Sequence, residues 1–203
     1  MSDADPVELR VLGALIEKQR TTPDQYPLSL NSLRLACNQA TNRDPVVDYD
    51  EATIRDALER LGRRDWTRLA SGAGSRAIKH RHLLNEALGL DEAELSVLAV
   101  LMLRGPQTPG ELKQRTERMY GFGTLEDVER TLAGLAEREL VARQPRRSGQ
   151  KEDRYAQLLG GDGDEPAAAP VFSVPVDDDR VGALEERVAR LENELAELRS
   201  KLG

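Results

Sequence analysis

An internal repeat constrains the fold of this 203-residue chain more than any other feature of its sequence. The segment VELRVLGALIEKQRTTPD, from Val7, aligns with AELSVLAVLMLRGPQTPG, from Ala93, and both show the apolar spacing of a helix. The matched residues are Glu8, Leu9, Val11, Leu12, Leu15, Thr22 and Pro23 with Glu94, Leu95, Val97, Leu98, Leu101, Thr108 and Pro109. A second match pairs Ile54, Leu58, Leu61, Arg64, Leu83 and Leu84 with Val128, Leu132, Leu135, Arg138, Leu158 and Leu159. The chain therefore holds two copies of one module, and the first copy carries an insertion centred on NQATNRDP, residues 38–45.

Each copy is predicted to form three helices followed by two short strands. In the second copy, Asp91, Thr108 and Thr124 stand where they can cap the three helices. Its predicted strands are LVARQ and DRYAQLL, and those of the first copy are WTRLA and RAIKHRHLL around the turn SGAGS. Three helices and a hairpin are the winged-helix arrangement. The sequence therefore predicts a mainly α fold with small β-hairpins (α+β), built as tandem winged-helix domains over residues 1–88 and 89–159.

The C-terminal tail differs in kind from the repeated modules. Residues 160–179 are rich in Gly, Pro, Ala and Asp, which predicts a flexible linker. Over residues 180–203, apolar side chains step by three and four: Val181, Leu184, Val188, Leu191, Leu195, Leu198 and Leu202. This is the heptad seam of a coiled coil, and valine at two a positions with leucine at every d position favours two strands. We therefore expect a homodimer through a C-terminal coiled-coil helix.

The distribution of charge matters more than its total. The net charge of −7 would argue against nucleic acid, but residues 160–203 account for −6 of it. Residues 61–82 carry six Arg or Lys side chains and one Asp, a local charge of +5. A single cysteine excludes a disulfide framework, and no apolar run approaches the roughly 18 residues that span a bilayer. We therefore expect a cytoplasmic protein without a membrane partner.

Two long motifs carry a resemblance to a known family. At IEKQRTTPDQYPLSLNSLRLACNQATNRDPV and LMLRGPQTPGELKQRTERMYGF, the sequence closely resembles the YceH-like family of bacterial proteins with tandem winged helices. The likeness covers about residues 7–159, and we interpret the linker and heptads as a lineage addition. Membership implies the fold and a cytoplasmic bacterial setting, and it implies no particular reaction, ligand or target.

The insertion at residues 38–45 has two interpretations. Asn38 and Asn42 can end a helix by adopting left-handed geometry or by bonding the local backbone, so the segment can simply fix the angle of the third helix. Alternatively, its polar side chains hydrogen-bond to phosphates or base edges of a nucleic acid. The candidates for that role are Gln39, Thr41, Asn42 and Arg43.

Basic residues of the third helix and of the two wings are further candidates for contact with nucleic acid. They are Arg63, then Arg68, Arg76, Lys79 and Arg81 in the first wing, and Arg143, Arg146, Arg147, Lys151 and Arg154 in the second. Arginines that flank glycines can contact phosphates, although solubilising charge explains them equally well. The third helices themselves begin with acidic residues, Asp50 and Glu51 or Glu126 and Asp127, which repel phosphate.

Catalysis finds little support in this sequence. His80 and His82 share one face of a predicted strand, but a zinc site needs more ligands, and Cys37 is expected to be a buried small hydrophobe. We therefore expect no enzyme activity, catalytic residue, cofactor or metal. The favoured function is that of a regulator-like protein that binds DNA. The alternative is a protein interaction scaffold, whose winged-helix domains bind a protein partner without binding DNA.

Overall fold

A computed structural model describes residues 3–70, 78–144 and 152–160. These residues form an α+β fold of seven α-helices and small antiparallel sheets. The first copy comprises α1 (Pro6–Thr21), β1 (Leu28–Ser29), α2 (Leu30–Cys37), α3 (Glu51–Arg63), β2 (Thr67–Ala70), β3 (Lys79–His82) and α4 (Leu84–Leu88). The second comprises α5 (Glu92–Arg104), α6 (Pro109–Thr116), α7 (Leu125–Glu137), β4 (Val141–Gln144) and β5 (Arg154–Gln157). All of them belong to one compact unit, Met1–Asp164, and the predicted coil lies outside the described residues.

Residues matched in the repeat occupy matching structural positions. Asp5 and Asp91 each cap a helix in a capping box, with Glu8 and Glu94 as the reciprocal partners. Thr108 and Thr124 cap α6 and α7, so all three predicted caps of the second copy are confirmed. After α3 and α7 the chain turns through left-handed residues, Asp65 at φ 57° and Glu139 at φ 56°.

The sheets follow the same order in both copies, with one difference. In the first copy the strands lie in the order β1-β3-β2, all antiparallel, with Thr67 opposite His82 and Leu28 opposite His80. In the second copy β4 pairs with β5, and a single bridge between Gln107 and Tyr155 stands where the first copy has β1.

Two details differ from the sequence prediction. The matched Thr-Pro pairs are not equivalent, because Pro109 begins α6 whereas Pro23–Gln25 forms a separate 3-10 turn and α2 is capped by Ser29. The predicted strand RAIKHRHLL extends too far at its C-terminal end. The observed strand β3 ends at His82, and the buried Leu84 already begins α4. The extra residues of the first copy therefore fall before α2 as well as after it.

One continuous hydrophobic core runs through both copies. Helices α1 and α5 pack closely against each other, and a Cβ atom added at Gly13 would lie 2.8 Å from Cγ of Leu103. Val11, Leu12, Val97 and Leu98, at matched positions of these helices, are inaccessible to solvent. In the described ranges, no helix is long and apolar enough to cross a membrane.

Candidate nucleic-acid interface

The hairpin of β2 and β3 gathers three of the candidate basic residues on one face. Directly opposed residues of an antiparallel pair share a face, and successive residues alternate between faces. Thr67 and His82 are opposed and buried, so they mark the inner face. Arg68 and Arg81 are opposed on the outer face, and Lys79 lies two residues from Arg81 on that same face. We call Arg68, Lys79 and Arg81 the basic wing face.

The charges of the basic wing face are largely uncompensated. Arg81 lies 3.5 Å from the carboxylate of Glu86, and both side chains are exposed. Such an exposed pair is worth only about 0.2 to 1 kcal/mol, so it leaves Arg81 able to exchange partners. Within residues 3–70, 78–144 and 152–160, Arg68 and Lys79 have no ion-pair partner, so the face presents positive charge to solvent.

The inner side of this hairpin is fixed by His82. Its backbone N–H donates to the hydroxyl of Tyr26 at 2.8 Å, and its ring Nε2 lies 2.7 Å from Oε1 of Gln19. Burial, together with the charges of Arg20 and Arg81, lowers the pKa of His82 to about 4, so the ring is neutral at pH 7. His82 therefore anchors β3 to α1 and holds the outer face in place.

Cys37 does not extend the histidine pair of β3 into a metal site among the described residues. Cys37 is fully buried, as predicted, and burial raises the pKa of its thiol to about 12. In the part of the chain that the structure describes, no group of three or more His, Cys, Asp or Glu residues is placed to hold a metal ion.

The insertion at residues 38–45 contains an arginine that is bonded entirely within the protein. The side chain of Arg43 is fully buried and donates to both carboxylate oxygens of Glu17, at 2.6 and 3.1 Å, and to the carbonyl oxygen of Ala36. Burial alone would raise the pKa of Glu17, but the hydrogen bonds and the charge of Arg43 outweigh it and lower that pKa. Arg43 therefore serves the structural interpretation of the insertion.

The asparagines of the insertion behave as the structural interpretation expects. Asn38 bonds the backbone of Tyr49 in both directions, donating to its carbonyl at 2.8 Å and accepting from its N–H at 3.0 Å. Asn42 adopts the left-handed conformation, at φ 60°. Gln39 is half-buried against Arg43, so Thr41 and Asn42 are the exposed members of the four candidates.

Arg63 is exposed, near the end of α3, but the opposite end of that helix is negative. Asp50 accepts from the N–H of Thr53, and the hydrogen bonds to Thr53 lower the pKa of its carboxyl. At the start of α7, hydrogen bonds to Thr124 likewise lower the pKa of Asp127. Both helix starts therefore keep their negative charge near neutral pH, which disfavours their approach to phosphate.

The hairpin of β4 and β5 offers less free charge in the residues that the structure describes. Arg143 forms an ion pair with Asp153, and Arg154 donates to Glu111 at 2.9 Å. Four further candidates, Arg76, Arg146, Arg147 and Lys151, lie outside the described residues.

A second basic group could not be recognised from the sequence, although Arg43 and Arg154 were each candidates singly. It lines a cleft of about 450 Å³ whose charged residues are Arg43, Asp44, Arg104, Glu111, Arg115 and Arg154. These residues come from α5, α6, β5 and the insertion. No local sequence pattern joins them, and only the packing of the two copies brings them together.

Comparison with known proteins places the whole chain among bacterial relatives. Residues 4–150 match the family described as "Protein of unknown function, DUF480". A UPF0502 protein of Solibacter usitatus is 50% identical over 198 residues, which cover 96% of each chain. Another, from Klebsiella pneumoniae, is 45% identical over 202 residues, covering 96% of this chain and 92% of the relative. The similarity therefore extends into the tail, and the interpretation of the tail as a lineage addition is wrong.

Proposed function

The chain belongs to the DUF480 family, and from its basic wing face we propose that it is a tandem winged-helix protein that binds duplex DNA. The observation that carries the proposal is the shared outer position of Arg68, Lys79 and Arg81. Arginine and lysine side chains supply most protein contacts to DNA phosphates.

The order of elements supports the winged-helix part of the proposal. Helices α1, α2 and α3 precede the β2 and β3 hairpin, and β1 adds a third strand beside β3. Helices α5, α6 and α7 precede β4 and β5 in the same way. Each hairpin is then a wing beside a third helix, α3 or α7.

The charge distribution favours contact through the first wing over insertion of the helix starts. Asp50 and Glu51 at α3, and Glu126 and Asp127 at α7, stand where a groove-entering helix would meet phosphates. On the basic wing face, by contrast, Arg68 and Lys79 have no acidic partner among the described residues, so no negative charge beside these two residues repels phosphate. Its contacts would be to the phosphate backbone, which predicts binding that is salt-dependent and weakly selective for sequence.

The proposal is tested with a variant that neutralises the basic wing face, Arg68→Gln with Lys79→Gln and Arg81→Gln. We expect weaker binding of a fluorescent mixed-sequence duplex, measured by anisotropy over a series of salt concentrations. The slope of log affinity against log salt should flatten by about 0.9 for each phosphate contact removed.

A matched control removes three basic charges elsewhere, with Lys113→Gln, Arg118→Gln and Arg130→Gln. This variant should keep the salt slope of the unaltered protein. If both variants lose the same affinity and slope, net charge alone governs binding and the wing is not the contact. A folded wing variant with unchanged slope would contradict the proposal directly.

One observation favours the scaffold function as a second candidate. Leu69 lies opposite His80 in this hairpin, Ile78 directly precedes β3, and their side chains are 59% and 66% exposed. Exposed apolar side chains suit a protein partner, and binding through them would show little dependence on salt. Leu69→Ser with Ile78→Ser would abolish scaffold binding and leave the salt slope for DNA unchanged.

We also propose that the heptads of residues 180–203 join two copies of the chain, so that two first wings act together. Support for this comes from the spacing of the apolar residues alone, because the tail lies outside the described residues.

A further inference from the structure

We propose that the cleft lined by Arg104, Arg115 and Arg154 is a binding site for a small phosphorylated anion, separate from the basic wing face. We call these three residues and the cleft they line the arginine cleft. The inference goes beyond DNA binding, because it assigns a small-molecule ligand to a different part of the molecule.

The arginine cleft is built from several elements that hydrogen bonds tie together. The N–H of Asp44 donates to the carbonyl of Leu103 at 2.9 Å, and Arg104 donates to Oδ1 of Asn42 at 3.1 Å. On the other side, Gln107 and Tyr155 exchange two backbone hydrogen bonds, at 3.0 and 2.8 Å. These bonds hold the insertion, the end of α5 and β5 around one cavity.

The positive charge in the cleft exceeds its negative charge. The carboxylate of Glu111 serves two arginines, Arg154 at 2.9 Å and Arg115 at 3.4 Å. Arg104 finds only the neutral amide of Asn42 as a hydrogen-bond partner among the described residues, while Arg43 is neutralised by Glu17. An added anion would relieve this imbalance.

The surroundings of Arg104 combine burial with neighbouring charge. Burial and then the neighbouring charge of Arg115 lower the pKa of Arg104 from its ordinary value. Asp44 and Glu111 act in the opposite direction without reversing the shift. A bound oxyanion would favour the charged guanidinium and offset the effect of Arg115.

The donor chemistry fits a phosphate group. Arginine presents planar, paired N–H donors that match the oxygens of a carboxylate or phosphate, and charge-assisted bonds of this kind are the strongest hydrogen bonds in proteins. Glu111 already fills part of this donor set from within. A phosphate ester carries more charge than a carboxylate and can bridge Arg104 and Arg115.

An unsatisfied acceptor lies in the same wall. Gln107 is 97% buried, and its Nε2 donates to the carbonyls of Arg104, Gly105 and Pro106. Its Oε1 has no hydrogen-bond partner among the described residues. Because this oxygen is almost inaccessible to solvent, it lies behind the cleft surface and is not itself a contact for the ligand.

The size of the cleft favours a small ligand over a nucleic acid. Its volume of about 450 Å³ falls in the range of small-molecule sites. The ligand we infer is therefore a free phosphorylated small molecule.

The test uses the full chain and inorganic pyrophosphate as the probe, with calorimetry in a buffer free of other phosphates. The unaltered protein should bind pyrophosphate saturably at one site per chain. Arg104→Gln with Arg115→Gln should raise Kd about tenfold or more, because charge-assisted bonds are lost. The control variant Arg118→Gln with Arg130→Gln removes the same charge outside the cleft and should keep the original Kd.

A second variant guards against a loss of folding. The side chain of Asp44 is exposed and makes no hydrogen bond in the described ranges, so Asp44→Asn should fold normally and bind pyrophosphate more tightly. Absence of saturable binding by the unaltered protein would overturn the proposal. Equal Kd values for the unaltered protein and the folded variants of the cleft would overturn it as well.

The same titrations separate this site from the DNA-binding proposal. The variant of the basic wing face should lose duplex binding and keep pyrophosphate binding, whereas Arg104→Gln with Arg115→Gln should do the reverse. If an oligonucleotide without terminal phosphates displaces pyrophosphate, the cleft belongs to a nucleic-acid surface and the inference of a small-molecule site fails.

Discussion

At the scale of single residues, Arg43 explains why an unusually polar segment follows α2. Its guanidinium joins the end of α2, through Ala36, to Glu17 in α1, 26 positions earlier in the chain. Arg10 adds a second link, donating to the carbonyls of Cys37 and Pro45. The sequence shows an arginine in a polar loop. The partner that buries it is distant in sequence, so no local pattern identifies it.

The first prediction concerns the stability of this contact. Arg43→Gln should lower the free energy of unfolding by about 1 to 3 kcal/mol, because it removes a fully buried donor and leaves Glu17 with Lys18, at 3.3 Å, as its remaining cation. Urea denaturation at pH 7 measures this. The double variant with Glu17→Gln should recover part of the loss, and both variants should bind DNA normally once folded. If the folded Arg43→Gln variant is less stable and also fails to bind DNA, Arg43 contacts the ligand in addition to its structural role.

The dependence of this effect on pH follows from the shifted pKa of Glu17. The folded pKa lies below the ordinary value of 4.5, so the pair stabilises the protein above that pH and the stability is lost as pH falls through the folded pKa. In Arg43→Gln the strongest of the effects that lower the pKa of Glu17 is lost and only Lys18 still opposes burial, so this pKa should rise from its present value. That variant should therefore lose less stability on acidification than the unaltered protein does.

At the scale of elements, the repeat could be predicted because residues that contact each other within one copy recur at the matched positions of the other copy. Arg64, after α3, lies 3.6 Å from Glu8 at the start of α1, and Arg138, after α7, lies 3.2 Å from Glu94 at the start of α5. Each copy therefore has the same ion pair, between a glutamate at the start of its first helix and an arginine after its third. Long periodic helices and capped helix starts were therefore predicted well.

The shorter elements were missed for a physical reason. β1 has two residues and α4 has five, too few for a period of two or of 3.6 residues to be recognised. The basic wing face was predicted residue by residue, but its common face depends on the register of β2 and β3. The arginine cleft depends on packing between the copies, which the local pattern does not contain.

The contact between α1 and α5 gives the second prediction. Gly13→Ala adds a methyl group 2.8 Å from Cγ of Leu103, and we expect a loss of stability of about 1 to 3 kcal/mol from overpacking, despite the better helix propensity of alanine. Thermal unfolding measures this, and Leu103→Ala in the same chain should reduce the additional cost of the alanine at residue 13.

The control is Gly134→Ala in α7, where nothing lies within 4 Å of an added Cβ. That change should stabilise the protein by about 0.8 to 1 kcal/mol. Equal effects of the two alanines would show that helix propensity outweighs packing at α1.

At the scale of the whole molecule, the tail gives the third prediction. With Val181 at an a position, Arg180, Arg187 and Glu194 fall at g and Glu185, Glu192 and Arg199 at e, so that all three cross-chain pairs attract in a parallel dimer. Each exposed pair is worth only about 0.2 to 1 kcal/mol, so the apolar seam supplies most of the stability and the charges select the orientation. A dimer built on so few heptads should dissociate on dilution.

Sedimentation of the full chain checks this dimer. Leu191→Asp, at a d position, should give a monomer, whereas Ala196→Asp, at an outward b position, should leave the dimer intact. A monomer at all micromolar concentrations would contradict the prediction. A dimer that persists in Leu191→Asp would assign dimerisation to another part of the chain.

The shared core of α1 and α5 has a consequence for how this protein could have diversified. Modules that arise by duplication usually keep separate cores and can be exchanged or lost singly. Here each copy covers the buried face of the other, at Gly13 and Leu103, so a cut between them would leave both with exposed apolar surface. A substitution on either side of this contact is therefore constrained by the residue that it faces in the other copy.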